Sequence, residues 1–407
     1  MNNLHSKIKN LILSNVQVPT QRKIGLEIEN IIYDKNNNRL PVNQGSHFSS
    51  YELLKELNGA IGNNGEYSLE PGGQIEWASP PFINLSNLQH SINNHKNLLN
   101  DTLKKHNLKL IPYGVDPIFS PNEIDLISNP KYQFMDQHMD KNGSMGKWMM
   151  RCTSSIQVNF DALNEQNMEE IVFIADCLHP VASYLFSNSP FKNKEAIKIN
   201  FRNKIWLNTD KKRCNSLFDH GIFTRKNLVD NYINYFLKVP GIYEVGENGE
   251  VSKTNYNFGE ILTSLNKNGL INENYILASL RQIFTNVRLK NLVEIRGADR
   301  TPEGFEIAPA AFWVGLLNTD SVRVKVLDEI SSWTINDRSL FNDASLILDL
   351  NQIGPKRRTY GYWVKYFGEL SLEGLKIRSV EEYSLLKGFF DVVISEGPFS
   401  IQAQKSE

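Results

Sequence analysis

KIGLEIENII (Lys23–Ile32) alternates two kinds of side chain: Ile24, Leu26 and Ile28 project to one side of an extended chain, and Gly25, Glu27 and Glu29 to the other. The same period returns in SSIQVNFD (Ser154–Asp161), where Ile156, Val158 and Phe160 alternate with Ser155, Gln157 and Asn159. Within Tyr67–Ala78, Gln74 and Glu76 alternate with Ile75 and Trp77 after the turn EPGG (Glu70–Gly73). In NVRLKNLVEIRGA (Asn286–Ala298), Val287, Leu289, Val293 and Ile295 stand against Arg288, Lys290, Glu294 and Arg296. Each strand thus has one apolar and one polar face. That is the pattern of a largely antiparallel sheet with helices on one side and an open polar face on the other, an α+β fold.

Helical spacing fits that arrangement. Leu88, Ile92, His95, Leu99 and Leu103 predict a helix over Ser86–Lys109, capped by Ser86 or Asn87. Met168–Phe186 reads as one apolar helix bent near Pro180. Ala310–Leu317, Val322–Asp349 and Val380–Ile394 read as further helices.

The 407 residues suggest two or three domains, or one large sheet-based domain. Forty-four Lys and Arg balance 45 Asp and Glu, which excludes a broad polycation for nucleic acid. No apolar run reaches the roughly 20 residues that a bilayer span needs. Three cysteines without a CxxC pair exclude a disulfide framework and fit a reducing compartment. The N-terminal stretch reads as a frayed helix and not as a targeting peptide, so the expected location is the cytoplasm.

The polar face carries the chemistry. Solvent-facing strands usually mix Thr, Lys, Ser and Glu, whereas here Glu27, Glu29, Glu76 and Glu294 recur, with Glu70 at a turn. Like charges on neighbouring strands destabilise a sheet, and a divalent cation would balance them. Hard oxygen ligands suit Mg²⁺ or Mn²⁺. Glu27 and Glu29 project to one side about 6.6 Å apart along the strand. Arg288, Lys290 and Arg296 add positive charge for phosphate or carboxylate, so the face reads as metal-bridged phosphoryl chemistry. No P-loop, GxGxxG, HExxH or GxSxG occurs. The eight histidines are scattered, and none is given a role. Cys152 beside Arg151 reads as packing in preference to an activated thiol.

SLEPGGQIE (Ser68–Glu76), SSIQVNFD, FRNKIWLNTDKKR (Phe201–Arg213), VRLKNLVEIRGAD (Val287–Asp299) and AAFWVGLL (Ala310–Leu317) together resemble the plant-type glutamate–cysteine ligases, a family with many bacterial members. The match runs from about residue 20 to 320; beyond it only fragments such as GLKIRS (Gly374–Ser379) are similar. The resemblance implies a glutamine-synthetase-like catalytic domain over 1–320 and a helical region over 321–407 packed on it. It implies ATP-dependent joining of the glutamate γ-carboxylate to the cysteine amine, the first step of glutathione biosynthesis. It puts the metal ligands on Glu27, Glu29, Glu70, Glu76 and Glu294, with Gln157 beside them. It assigns Arg202 and Trp206 to the glutamate substrate and Arg213 and Arg296 to catalysis on the phosphate side. Asn159 and Arg151 complete the substrate-binding set, although Arg151 stands one residue farther from QVN than in the land-plant form. TDKKRCN replaces the usual TDxxRxG.

The expected partners are glutamate, cysteine and ATP, with no nucleic acid or membrane, in a monomer or homodimer. A ligase of the same family with another amine or acid is the alternative. A non-catalytic nucleotide-binding homologue fits less well, because its acidic set would have relaxed.

Overall fold

The alternation in Lys23–Ile32 folds as the centre of a seven-stranded antiparallel sheet. In the computed structural model, which describes residues 2–45, 47–246 and 248–405, its strands are β1 (Ile24–Asp34), β2 (Glu66–Leu69), β3 (Ile75–Ala78), β4 (Leu108–Ile111), β5 (Ser155–Phe160), β6 (Val287–Leu289) and β7 (Val293–Asp299). The order is β6-β7-β5-β1-β3-β2, and β4 pairs with the second half of β1. Every pairing in this sheet is antiparallel.

The stretch expected as one strand, Asn286–Ala298, is a hairpin. Val287 pairs with Ile295 and Leu289 with Val293 across a turn at Lys290–Leu292. The turn leaves Leu289 and Val293 an even number of positions apart, so the alternation runs through it unbroken and hides it. A second irregularity follows. Ile295 faces Val158 but Ala298 faces Ile156, so one extra residue is accommodated around Arg296 and Gly297.

Nine helices matter for the site: α1 (Leu85–Lys105), α2 (Pro130–Asn142), α3 (Gly146–Cys152), α4 (Glu165–Cys177), α5 (His179–Leu185), α6 (Phe201–Leu207), α7 (Ala308–Leu317), α8 (Tyr360–Arg378) and α9 (Val380–Glu396). Helix α1 is capped by Asn84, whose side chain accepts from the Asn87 amide, and not by Ser86 or Asn87 themselves. The expected helix over Met168–Phe186 is two, α4 and α5, parted at Leu178; Pro180 sits in the first turn of α5, where its missing N–H costs nothing. Val322–Asp349 also divides, into Asp320–Ile330 and Ile335–Ala344, because Thr334 with Asp337 forms a capping box that starts a new helix. The N-terminal helix Asn2–Ile12 is not frayed along its length: Leu4, Ile8, Leu11 and Ile12 are buried in the core.

All ten residues of α7 are buried. A helix apolar all round must be covered all round. It packs on β5 and α4 on one side and on α8 and α9 on the other. The crossing with α8 is backbone on backbone. A Cβ at Gly315 would lie 2.2 Å from the Ser371 carbonyl oxygen, and one at Gly374 would lie 1.9 Å from that of Gly315.

This contact yields the first prediction. Gly315→Ala should destabilise by about 2–3 kcal/mol, the upper range for overpacking, because rigid backbone cannot give way. Gly388→Ala, on exposed α9 surface with nothing within 4 Å of the added methyl, should stabilise by up to about 1 kcal/mol. Urea unfolding of the two variants measures both signs.

Candidate active site

Strand register assembles the polar face. Glu29 stands opposite Glu76, and Glu27 opposite Gln157. Glu294 stands opposite Asn159 on one side and Arg288 on the other. Ser68 stands opposite Glu76. Glu70 enters from the EPGG turn, which Gly73 closes at φ +77°. The turn is held from outside: Arg39 Nη2 donates to the Gly72 carbonyl (3.0 Å) while its Nη1 pairs with buried Asp116 (2.6 Å).

Amide and hydroxyl donors meet the carboxylates one by one. Gln157 Nε2 donates to Glu29 (3.0 Å), Asn159 Nδ2 to Glu27 (3.0 Å) and Ser68 Oγ to Glu76 (2.9 Å). Arg296 Nη1 donates to the Gln157 carbonyl oxygen (2.6 Å) and to Glu294. Glu294 is also paired with Arg288 (2.6 Å) and Lys290, so three cations meet on one fully buried carboxylate. Arg288 and Lys290, expected from sequence to face a ligand, thus have a protein partner.

Charge separates these acids into two kinds. Burial alone would raise Glu294, but Arg288, Lys290 and Arg296 carry it well below the ordinary carboxylate range. The others go the opposite way. Burial and then Glu70 push Glu29 up to about 7, against Arg202, Ser155 and Arg296. Burial, Glu70, Glu27 and Glu29 hold Glu76 well above its usual value. Burial raises Glu70 too, with Lys131 as its strongest opposing charge. Among the described residues no three His, Cys, Asp or Glu side chains converge on one point that could hold an ion. The carboxylates are a row spread over β1, β2–β3 and β7.

At the β7 end the face runs into a cleft lined by His179, Arg202, Trp206, Phe284, Arg296 and Asp299. Its volume, about 20 Å³, is that of one water, so a larger ligand must extend over the open face. Helix α6 supplies Arg202 and Trp206, one turn apart on the same side. Arg202 Nη1 lies 3.8 Å from Asp299, its guanidinium 5.8 Å from the Trp206 ring, and that of Arg296 5.6 Å from the same ring. Arg202 Nε and the Trp206 indole N–H are buried and have no hydrogen-bond partner. Buried donors are nearly always paired, so two orphans in one cleft mark where a ligand's acceptors belong. Trp206 is partly buried.

Two expected arginines point inward. Arg213 is fully buried and donates to Asp210 (2.7 Å) and to the carbonyls of Gln282 (3.1 Å) and Pro240 (2.6 Å). Arg151 forks onto Asp136 (3.1 and 2.8 Å) and donates to the carbonyls of Pro121 and Ile124. Both guanidiniums act as internal struts, and contact with a substrate would require those bonds to break.

Sequence reading missed two neighbours of the site. His179 begins α5 after the break at Leu178 and lies so close to the irregular Gly297 that a Cβ there would be 2.3 Å from its Nδ1. Burial lowers it to about 4, so it is neutral near pH 7. Lys131, in the first turn of α2, faces Glu70 from a segment with no strand pattern. The three cysteines are buried; burial pushes Cys177 and Cys214 up to about 12 and Cys152 higher, so none offers a thiolate.

The raised acids set a pH dependence. A carboxyl held up to about 7 when folded and near 4.5 when unfolded keeps its proton only in the folded state between those values. Stability from it is full below the unfolded pKa and is lost as pH rises through the folded one. Glu29→Gln and Glu76→Gln should therefore raise the unfolding temperature at pH 8, on the order of 2 °C or more, and give no such gain at pH 4. Thermal melts of wild type and variants at both pH values measure this.

The chain has relatives among known proteins. The model of glutamate–cysteine ligase family 2 (GCS2) matches residues 23–346. The chain is 30% identical over 362 residues to glutamate–cysteine ligase A, chloroplastic, of Oryza sativa subsp. indica, covering 85% of this chain and 71% of that protein. It is 30% identical over 334 residues to the chloroplastic glutamate–cysteine ligase of Arabidopsis thaliana, covering 80% of this chain and 63% of that protein. A solved glutamate–cysteine ligase from Francisella tularensis, in complex with AMP, superposes with a TM-score of 0.63 at 11% identity, over 96% of this chain and 85% of that one. At that identity the likeness is one of fold. A family model matched over most of the chain and plant relatives at 30% identity lead to one conclusion: the chain belongs to glutamate–cysteine ligase family 2.

Proposed function

We propose that the protein is a cytoplasmic glutamate–cysteine ligase, joining the γ-carboxylate of glutamate to the amine of cysteine and converting ATP to ADP and phosphate. The observation that carries this reading is the pair of orphaned donors, Arg202 Nε and Trp206 Nε1, in a cleft that Arg296 connects to a row of carboxylates. A small acid would enter it with one end and lie over the open face with the other. Arg202 can grip an α-carboxylate with a fork that an ammonium cannot reproduce, and the Trp206 face covers the methylene stem. The distal carboxylate then reaches over the acidic row.

The row fits Mg²⁺ or Mn²⁺ shared with a nucleotide better than a closed metal cage. Magnesium commonly takes one or two carboxylates and completes its shell with phosphate oxygens and water, which needs no convergence of three side chains. Glu27, Glu29, Glu70 and Glu76 would hold it; burial, and after it the neighbouring carboxylates, raise Glu29 and Glu76, and burial raises Glu70. Bound there, the metal supplies charge neutralisation for the transferred phosphoryl group. Glu294 stands apart from that subset, because three cations already balance it.

A carboxylate is a poor electrophile, since an amine attacking it would have to expel oxide. In the proposed reaction a γ-carboxylate oxygen attacks the terminal phosphorus and ADP leaves. Arg296, held by Gln157 and Glu294 at the junction of row and cleft, neutralises charge on the phosphoryl group in flight. The cysteine amine then attacks the acyl phosphate carbon; phosphate departs and the nitrogen loses its proton. No thiolate is available as a covalent nucleophile, so no acyl-enzyme is expected.

A coupled assay of ADP release over a panel of acids and amines tests the reading. ADP should form with glutamate and cysteine together; preference for another amine would assign the chain to a different ligase of the family. Arg202→Lys should raise the KM for glutamate at least about tenfold while that for ATP moves less than about twofold, a loss of about 1.4 kcal/mol or more of binding confined to one substrate. Equal shifts in both would assign Arg202 to structure.

A further inference from the structure

Among the described residues seven arginines are buried. Six of them, Arg202, Arg213, Arg288, Arg300, Arg323 and Arg338, have a carboxylate oxygen between 2.6 and 3.8 Å away. Arg22 is the exception, with no ion pair among the described residues although it is only 7% exposed. It follows the short turn Pro19–Gln21 and stands two residues before Ile24, where β1 begins. Its Nη2 donates to the carbonyl of Asn318 (3.2 Å), the residue that ends α7, and its Nη1 is buried without a partner. The Oδ1 of the same Asn318 is buried and unpartnered as well.

The surroundings do not supply the missing charge. Arg323 donates to the carbonyl of Leu317 (3.0 Å), so two guanidiniums meet on consecutive carbonyls at the end of one helix. Arg378, the last residue of α8, is a third cation within electrostatic reach. Arg323 is balanced by Glu170 and Asp320, and Arg378 by Glu382. Asp161 attracts Arg22 from a distance, but its oxygens take the Asn15 side chain (2.7 Å) and the Lys23 amide (3.1 Å). The negative end of α7 offers about half a unit of charge, and Arg22 and Arg323 share it. Burial, and after it Arg323 and Arg378, lower Arg22 to about 10, which leaves it charged at pH 7. A buried charge without a counter-charge is costly.

We propose that Arg22 and Asn318 form a site for a hydrogen phosphate ion. An anionic oxygen satisfies Nη1 and brings the absent negative charge. Oδ1 requires a hydrogen, which phosphate at pH 7 carries and sulfate does not. A water molecule would satisfy both hydrogen bonds but not the charge. The turn Pro19–Gln21 buries no residue and Lys23 is exposed, so solvent is one layer away. Arg22 has the parity of Ile24, Leu26 and Ile28, and its side chain runs to the helical layer, on the opposite side of the sheet from Glu27 and Glu29. The site is therefore separate from the acidic row and independent of the ligase reading. An ion there ties the start of β1 to the end of α7.

Calorimetric titration and thermal melts at pH 7, in potassium phosphate and in potassium chloride of equal ionic strength, test the proposal. Phosphate should raise the melting temperature of the wild type by about 2 °C or more. Arg22→Met should lose that rise, bind phosphate at this site at least about tenfold more weakly, and melt in chloride within about 2 °C of wild type, because it removes an unpaired charge. Asn318→Asp gives Arg22 an internal carboxylate; it should melt higher than wild type in chloride and gain nothing from phosphate. Sulfate should give less than about half of the phosphate shift. Phosphate bound at the acidic face is common to wild type and both variants and cancels in the difference. A wild type that does not respond to phosphate, or an equal response in Arg22→Met, would overturn the site. Should Arg22→Met not fold, a full phosphate response in Asn318→Asp would overturn it. A sulfate response equal to that of phosphate would overturn the assignment of hydrogen phosphate.

Discussion

Two glutamates face each other across neighbouring strands: buried Glu29 on β1 and partly buried Glu76 on β3 occupy one register position on the polar face. Directly opposed like charges weaken a sheet, and burial multiplies the penalty. Much of the site is arranged around this constraint. Gln157 and Ser68 each give one hydrogen to a member of the pair, Asn159 serves Glu27, and Lys131 faces Glu70. These groups reduce the repulsion without removing it, since Glu29, Glu70 and Glu76 still hold their protons more tightly than free glutamates do. In the proposed reaction a cation arriving with a nucleotide would meet carboxylates already in place.

The β7 end solves the opposite problem. Glu294 is fully buried, and Arg288, Lys290 and Arg296 surround it. Removing one partner from such a cluster would strand charge in the interior, so the cluster stiffens the hairpin that carries it. Arg296 gains most from this rigidity. The extra residue at Arg296–Gly297 breaks the ladder beside it, and its hydrogen bonds to Glu294 and Gln157 fix the guanidinium between the acidic row and the Trp206 cleft. Gly297 has a second consequence: without a side chain it lets His179 lie against the strand and form part of the cleft wall.

Period-two patterning made the sheet legible, because a buried face leaves a mark on every second residue. Four of the carboxylates, Glu27, Glu29, Glu76 and Glu294, were legible for the same reason, and Glu70 from the EPGG turn. What escaped was information that alternation does not carry. The turn at Lys290–Leu292 preserves parity, so a hairpin read as a strand. Arg213 and Arg151 lie in motifs that resemble substrate-binding ones, but their partners are the carboxylates of Asp210 and Asp136 and carbonyls that come together only on folding. Lys131 and His179 join the site through tertiary packing of α2 and α5, and nothing in their local sequence announces it. The cleft by contrast was reachable through the resemblance of FRNKIW, whose one-turn spacing puts Arg202 and Trp206 on one side of a helix.

Isotope transfer addresses the proposed chemistry most directly. Glutamate labelled with ¹⁸O in its γ-carboxylate is incubated with ATP, Mg²⁺, cysteine and the protein, and the released phosphate is analysed by mass. Attack of a carboxylate oxygen on the terminal phosphorus, followed by departure of that oxygen with phosphate when the amine attacks the carbonyl carbon, predicts one label per phosphate and ADP as the nucleotide product. Unlabelled phosphate, or AMP as the product, would contradict phosphoryl transfer to the γ-carboxylate on the acidic face.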